Sequence, residues 1–118
     1  MKDLKRVSVF GGREITKEIY DNTVLLGEKL GNEGYTVFCG GGKGVMEAIS
    51  KGVKMVDGLV IGILNGQDGT LSEIAYAFQL NKPVIGYATW DINPIIMAKS
   101  PDDVMSKLKR EFECLKSA

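Results

Sequence analysis

Glycine-rich corners, two of which carry a basic residue, are the part of this sequence that could do chemistry. Glycine lets a ligand approach the backbone without a Cβ in the way, and the free amide hydrogens at a helix N-terminus attract anions. Three corners of this kind follow short apolar runs, and their residues are Gly11, Gly12 and Arg13; Gly40, Gly41, Gly42, Lys43 and Gly44; and Gly66, Gly69 and Thr70. The pattern predicts a phosphate-binding site, and tight turns between strands and helices are the alternative explanation of the glycines.

Comparison with known nucleotide-binding motifs limits the kinds of site that these corners could form. GGGKGVM lacks the Lys-Ser/Thr ending of a P-loop, and no GxGxxG with a suitably spaced acidic residue is present. Lys43 opposes the helix dipole at its position, which favours a phosphate contact over a solvated side chain. The chain has no histidine, and Cys39 and Cys114 are far apart. Histidine-based catalysis, a zinc cluster and a redox motif are therefore not indicated, and no metal site is predicted.

Strand and helix patterns alternate along the chain. Strands are predicted at 6–10, 35–39, 59–64 and 83–87. Helical spacing of apolar residues follows each of the first three strands, the third of these helices covering 70–80, and a last helix begins at Pro101 after Ser100 as N-cap. This order predicts an α/β fold with a small parallel sheet between helices. In such folds ligands bind beyond the carboxyl ends of the strands, which is where the glycine corners fall.

The length and charge of the chain limit the number of domains and the classes of partner. A chain of 118 residues with 44% hydrophobic and 25% charged residues predicts one globular domain over residues 1–118. Fifteen basic residues balance fifteen acidic ones, which removes the general electrostatic argument for binding nucleic acid or an anionic membrane. No apolar run reaches membrane-spanning length, and the N-terminal apolar run is too short for a signal sequence. A cytoplasmic protein is predicted, with neither nucleic acid nor membrane as a partner.

The segments GGGKGVMEAISKG and DGTLSEIAYAFQLNKPVIG resemble the LOG-type Rossmann-like proteins. This family includes cytokinin nucleoside-5′-monophosphate phosphoribohydrolases and molybdenum-cofactor carrier proteins. The resemblance extends from VSVFGG to the last helix and is closest to the carrier-like branch. It implies a Rossmann-like three-layer sandwich, a homodimer, and a phosphorylated ligand such as an AMP-like nucleotide or the molybdenum cofactor, with no cofactor required.

The same resemblance assigns a catalytic role to Glu73. In the hydrolases the matching glutamate acts at the ribose while the N-glycosidic bond breaks, and a carboxylate can stabilise the oxocarbenium-like state that forms. The alternative role of Glu73 is that of an acidic residue near a helix start. Trp90 similarly has two interpretations, since it could stack on a base or pack within its loop.

The sequence departs from the family pattern near the third corner. Asp68 introduces an acidic side chain where the family has a glycine loop. A family segment of roughly 30 residues, about one βα unit, has no counterpart near 64–68, and in the hydrolases it carries the catalytic arginine. Either the chain connects directly here or a stretch is omitted, which a Cα–Cα distance well above about 3.8 Å would reveal. Arg13 is the only arginine near a strand end, and no pattern shows that it substitutes.

Three functions follow from these patterns. The first is a binding or carrier protein for a phosphorylated small molecule. The second is a nucleoside 5′-monophosphate phosphoribohydrolase, and the third is a structural subunit without a ligand.

Overall fold

The computed structural model describes residues 5–40, 43–62, 84–87 and 95–117. The chain divides into two compact units, Met1–Thr70 and Leu71–Ala118. The helix predicted at 70–80 and the chain connection near 64–68 lie outside the described residues. One domain over residues 1–118 stays a prediction, because two compact units can belong to one domain or to two.

In its described residues, the first unit has three parallel strands and the two helices that connect them. In chain order its elements are β1 (Arg6–Val9), α1 (Lys17–Asn32), β2 (Thr36–Cys39), α2 (Val45–Met55) and β3 (Leu59–Gly62). The strands lie in the order β1-β2-β3, with Val7 opposite Val37 and Val37 opposite Val60. The strands and helices predicted for this part of the chain are confirmed, with one end of β1 and one of β2 differing by one residue. Residues 63 and 64 of the third predicted strand lie outside the described residues.

The core of the first unit lies where α1 and α2 pack against β2. Val37 and Cys39, which alternate along β2, are buried. Leu30 of α1 and Ile49 and Val53 of α2 are completely or almost completely buried. Each buried aliphatic side chain of this size stabilises the fold by about 1.5–3 kcal/mol. The other face of the sheet carries Leu59 and Ile61 of β3, whose exposed fractions are 57% and 39%.

Glycines bring the two helices of this unit into direct backbone contact. A Cβ on Gly52 would overlap the carbonyl oxygen of Val24 in α1. A Cβ on Gly27 would lie 2.5 Å from the carbonyl oxygen of Ile49 and 3.0 Å from Cα of Gly52. Real Cβ atoms do not approach backbone atoms this closely, so any side chain larger than hydrogen would separate α1 from α2.

Both helices end in the same hydrogen-bond pattern. At the end of α1 the amide of Tyr35 donates to Leu30 and that of Gly34 donates to Gly31; Gly34 has φ 81°. At the end of α2 the amide of Gly58 donates to Val53 and that of Asp57 to Lys54. These are Schellman motifs, which place one residue in the left-handed conformation. In α2 that residue is Asp57, with φ 57°, where a side chain costs more than glycine does.

In its described residues, the second unit has two parallel strands and one long helix. Its described elements are β4 (Ile85–Tyr87), β5 (Ile96–Ala98) and α3 (Pro101–Ser117). Ile85 pairs with Ile96 and Tyr87 with Ala98, and α3 contacts both strands. The helix predicted at Pro101 is confirmed, and the strand predicted at 83–87 is confirmed over Ile85–Tyr87, with Pro83 outside the described residues. Strand β5 was not predicted, because three residues after Pro94 give no alternation that marks a strand.

A hydrogen-bonded cap begins α3. The Ser100 hydroxyl oxygen accepts a hydrogen bond from the amide of Asp103 at 3.1 Å. The Asp103 carboxylate accepts from the amide of Lys99 at 2.9 Å and from the Lys107 ammonium at 2.6 Å. The hydrogen bond from Lys107, and then that from Lys99, lower the pKa of Asp103 below its ordinary value of 3.8. Ser100 therefore acts as the N-cap that its position predicts.

None of the helices in the described ranges has the length and the apolar character needed to span a bilayer.

Candidate functional site

A cleft of about 640 Å³ lies at the start of α2, beside the loop that follows β1. Its lining combines basic, acidic, aromatic and backbone groups: Arg13, Glu14, Ile15, Thr16, Tyr20, Lys43, Gly44 and Glu47. A neighbouring depression of about 520 Å³ shares Arg13, Glu14 and Lys43 and adds Gly12. Parts of the first and second glycine corners thus meet at one place, beyond the carboxyl ends of β1 and β2.

The two corners meet because the loop after β1 packs on the first turn of α2. The amide of Val45 donates to the carbonyl oxygen of Gly12 at 3.1 Å. Gly44 has φ 72°, and a Cβ there would overlap the carbonyl oxygens of Gly12 and Arg13. A Cβ on Gly11 would lie 2.7 Å from a methyl group of Val45. Gly44 and Gly11 are therefore explained by backbone conformation and packing alone.

Gly12 has no such explanation. A Cβ at this residue would meet its nearest neighbours, Glu14 and Ile15, at ordinary van der Waals distances of 3.8 and 3.9 Å. Its φ lies outside the left-handed region that favours glycine, and the residue is exposed beside Arg13 and Lys43. Neither a turn nor packing requires glycine here, whereas the close approach of a ligand to the backbone would.

Helix α2 begins without a side-chain cap. Gly44 is its N-cap residue and has no side chain to accept a hydrogen bond from the first turn. The first bond within the helix joins the amide of Ala48 to the carbonyl oxygen of Gly44 at 3.0 Å. The amides at a helix start carry partial positive charge and point out of the helix, which favours an anion at this end of the cleft.

Gly40 has a different environment from the other described glycines of the second corner. Its amide donates to the sulfur of Met46 at 3.4 Å. Met46 is buried in α2, so this hydrogen bond connects the end of β2 to the first turn of the helix. The amide of Gly40 is thus engaged with α2.

Two cations and two carboxylates surround the cleft. Arg13 and Lys43 are exposed, and neither forms an ion pair with another residue in the described ranges. Glu14 and Glu47 are the acidic residues of the lining. The formal charges of these four side chains cancel, but the cations lie on the loops before the helices whereas Glu47 lies in the first turn of α2.

A hydrogen bond joins the first turns of α1 and α2 across the cleft. The Tyr20 hydroxyl donates to Oε1 of Glu47 at 2.9 Å. This hydrogen bond, burial of the hydroxyl, and the charge of Glu47 raise the pKa of Tyr20 above its usual value of 10.0. Nζ of Lys51 lies 6.0 Å from the centroid of the Tyr20 ring. The Tyr20–Glu47 pair therefore presents a carboxylate held in place by a neutral phenol.

The predicted site residues fall into two groups. Gly12, Arg13, Lys43 and Gly44 line the two depressions, while Gly11 and Gly40 pack behind them. The remaining predicted residues lie outside the described residues: Gly41, Gly42, Gly66, Gly69, Thr70 and Glu73. Trp90 also lies outside them. The roles of both groups in binding or catalysis stay predictions.

Sequence reasoning missed Thr16, Tyr20 and Glu47. Thr16 caps α1 by accepting a hydrogen bond from the amide of Ile19 at 3.1 Å, and a threonine before an apolar helical pattern is a recognisable start signal. Tyr20 follows Thr16 by four residues and so lies on the same helix face. Glu47 is three residues after Gly44. No local signal connects Tyr20 to Glu47, which are 27 residues apart.

Within the described ranges no group of three or more histidine, cysteine or acidic residues is placed to hold a metal ion.

Solved structures share the fold of this chain. A molybdenum cofactor binding protein from the phototrophic bacterium Rippkaea orientalis superposes with a TM-score of 0.83 at 25% identity, covering 95% of this chain and 99% of that one. A molybdenum cofactor carrier protein from Chlamydomonas reinhardtii gives a TM-score of 0.83 at 20% identity, covering 92% and 98%. These similarities confirm the predicted α/β, Rossmann-like fold.

Sequence similarity identifies the family. An uncharacterized protein of Archaeoglobus fulgidus is 39% identical over 61 residues, which are 52% of this chain and 40% of that protein. The chain therefore spans less than half the length of this relative. A model of the SLOG cluster4 family matches residues 4–68, more than half of the chain and all of the described first unit. The predicted LOG-type resemblance is confirmed at the level of SLOG and LOG-like proteins, and the chain belongs to the SLOG cluster4 family.

Proposed function

We propose that this protein binds or carries a phosphorylated small molecule, whose phosphate sits at the start of α2 between Arg13 and Lys43. The single observation that carries the proposal is an α2 start without a side-chain cap, in a cleft that holds two cations without ion pairs in the described ranges. A phosphate ester carries a charge of about −1.5 to −2 near neutral pH. Its oxygens accept hydrogen bonds from backbone amides and from both cations.

The ligand candidates are a nucleoside monophosphate and the molybdenum cofactor. The glycine corners and the LOG-type resemblance support a phosphorylated ligand. The names of the structural neighbours, which bind or carry the molybdenum cofactor, support the second candidate. The cleft of about 640 Å³ falls within the usual range of small-molecule sites, roughly 300–1,000 Å³.

Calorimetric titration with AMP and with phosphate-free adenosine tests the proposal. AMP binds and adenosine binds far more weakly, because the cations and the helix start recognise the phosphate. Arg13→Ala and Lys43→Ala each weaken AMP binding about tenfold, since one charge-assisted hydrogen bond contributes roughly 1.5–3 kcal/mol. Lys54→Ala is the matched control, because Lys54 is an exposed lysine at the other end of α2, and it leaves AMP affinity unchanged.

A second variant tests the approach of the ligand to the backbone. Gly12→Ala places a methyl group where the structure has room for it, so its free energy of unfolding stays within about 0.5 kcal/mol of the wild type. Its affinity for AMP nevertheless falls, because the methyl group stands between the ligand and the loop. Unchanged AMP affinity in this variant would show that the ligand does not approach Gly12.

Incubation of the protein with AMP tests the other two functions. Accumulation of free base and ribose 5-phosphate from AMP would establish the phosphoribohydrolase, with Glu73 as the residue to replace first. A structural subunit binds neither AMP nor adenosine, and that result would overturn the carrier proposal for adenine nucleotides.

We also propose that the protein is a cytoplasmic homodimer, on the strength of the family resemblance. Light scattering coupled to size-exclusion chromatography measures the assembly directly. A mass near twice 12.8 kDa is expected, and a mass near 12.8 kDa at micromolar concentration contradicts it.

A further inference from the structure

We propose that the ligand of this cleft carries a ring with adjacent N–H and amino donors, as guanine does, and that Glu47 receives this donor edge while Tyr20 positions Glu47. This inference rests on the proposed function, because it concerns the other end of the same ligand. It predicts a guanine nucleotide in preference to an adenine nucleotide.

The location of Glu47 is the first argument. A carboxylate beside a phosphate site weakens anion binding unless it has a partner of its own. Glu47 lines the cleft at the start of α2, together with Arg13 and Lys43. Within the described ranges the hydrogen-bond partner of its side chain is the Tyr20 hydroxyl, which donates to Oε1. A ligand that was anionic throughout would be repelled here, whereas a ligand with an anionic end and a donor end matches both parts of the lining.

The geometry of the pair is the second argument. The hydroxyl of Tyr20 lies 2.9 Å from Oε1 of Glu47 and is its donor. Tyr20 is half-buried, and its ring also lies near Lys51. The phenol thus restricts the carboxylate before any ligand arrives, which lowers the entropy that binding would otherwise cost. A carboxylate oxygen can accept more than one hydrogen bond, so Glu47 keeps acceptor capacity on both oxygens.

The chemistry of the two bases gives the third argument. An ionised carboxylate only accepts hydrogen bonds. Guanine offers a ring N–H and a neighbouring amino group, which together match the two carboxylate oxygens. Adenine offers its amino group beside an unprotonated ring nitrogen, whose lone pair would face the carboxylate. A site built around hydrogen bonds rejects analogues that leave its polar groups unpaired. Pterins carry the same pair of donors as guanine.

Titrations of the full chain with GMP, IMP and AMP near neutral pH test this inference. The expected order of affinity is GMP, then IMP, which keeps the ring N–H but lacks the amino group, then AMP. GMP is expected to bind at least about tenfold more tightly than AMP, the ratio that one hydrogen bond to a charged group supplies. Glu47→Gln abolishes most of this preference, because the amide of Gln places a donor against the donors of guanine.

Control variants separate recognition from folding. Glu18→Gln is the matched control, since Glu18 is an exposed acid in the first turn of α1 and does not line the cleft. It keeps the preference for GMP. Tyr20→Phe keeps the ring but loses the hydroxyl, so it weakens GMP binding more than AMP binding. A merely structural role of Tyr20 would weaken both nucleotides equally and would contradict its role as a positioning residue.

The outcomes distinguish this inference from the proposed function. Equal binding of GMP and AMP, with both weakened by Lys43→Ala, overturns recognition by Glu47 and leaves the phosphate site intact. An unchanged preference for GMP in Glu47→Gln likewise overturns the role of Glu47. Failure of all three nucleotides and of inorganic phosphate to bind overturns the proposed phosphate site and this inference together.

Discussion

The starts of α2 and α3 show two ways of beginning a helix. At α3 the side chains of Ser100 and Asp103 accept hydrogen bonds from nearby amides, and Lys107 neutralises the acid. At α2 the first residue is Gly44, no side chain caps the turn, and the carbonyl oxygen of Gly12 receives the amide of Val45. At the start of α3, side-chain oxygens of the chain itself already accept hydrogen bonds from these amides, so a ligand is not needed as acceptor there. At the start of α2 the neighbouring loop takes up the Val45 amide only, and no side chain caps the amides that follow it.

The largest predicted loss of stability comes from a substitution at the start of α2. Gly44→Ala lowers the free energy of unfolding by about 3 kcal/mol or more, because strain from a left-handed alanine adds to overpacking against Gly12 and Arg13. Urea unfolding followed by circular dichroism measures the change. Gly12→Ala is the control in the loop after β1, which contacts the start of α2. A loss of less than about 1 kcal/mol in Gly44→Ala would contradict the backbone packing described at this corner.

The next largest loss of stability is predicted for a substitution at the start of α3. Ser100→Ala removes the acceptor for the amide of Asp103 and is expected to lower the free energy of unfolding by about 1 kcal/mol. The control is Ser106→Ala, an exposed serine within the same helix, where alanine is neutral or slightly stabilising. Equal urea midpoints for the two variants would show that the cap contributes nothing.

At the end of α2, by contrast, a substitution to glycine is predicted to stabilise the fold. Asp57 has φ 57° in the Schellman motif, so Asp57→Gly relieves left-handed strain without changing any close contact at the start of the helix. The expected gain in the free energy of unfolding is about 0.5–1 kcal/mol. Urea unfolding followed by circular dichroism measures the change. A loss of stability in Asp57→Gly would mean that the Asp57 side chain itself stabilises the turn.

The smallest effect concerns pH. Because Lys107 and the Lys99 amide lower the pKa of Asp103 in the folded chain, this carboxylate stabilises the fold above its ordinary pKa of 3.8. The contribution is lost as the pH falls through the lowered pKa of the folded state. The difference in urea midpoint between the wild type and Asp103→Asn should therefore shrink between pH about 5 and about 2. A difference that is constant over this range would contradict an ionised, hydrogen-bonded Asp103.

The two helix starts also show how far sequence reasoning reaches. Ser100 as a cap and the glycines before α2 were predictable, because caps and βα corners depend on residues that are close in the sequence. Strand β5 was not, since a strand as short as Ile96–Ala98 is stabilised by pairing with β4 rather than by its own pattern. The Tyr20–Glu47 hydrogen bond was not predictable either, because it depends on how closely α1 and α2 pack. That distance is set by Gly27 and Gly52, whose small size does not mark a helix pattern.

The contact between Gly27 and Gly52 has a consequence for how the cleft can open. Where two helices touch through side chains, a rotamer change can let them slide or spread. At Gly27 and Gly52 main chain contacts main chain, so a rotamer change cannot loosen this particular contact. The separation of α1 and α2 is consequently fixed, so the groups that the two helices contribute to the cleft, among them Tyr20 and Glu47, keep their spacing when a ligand arrives.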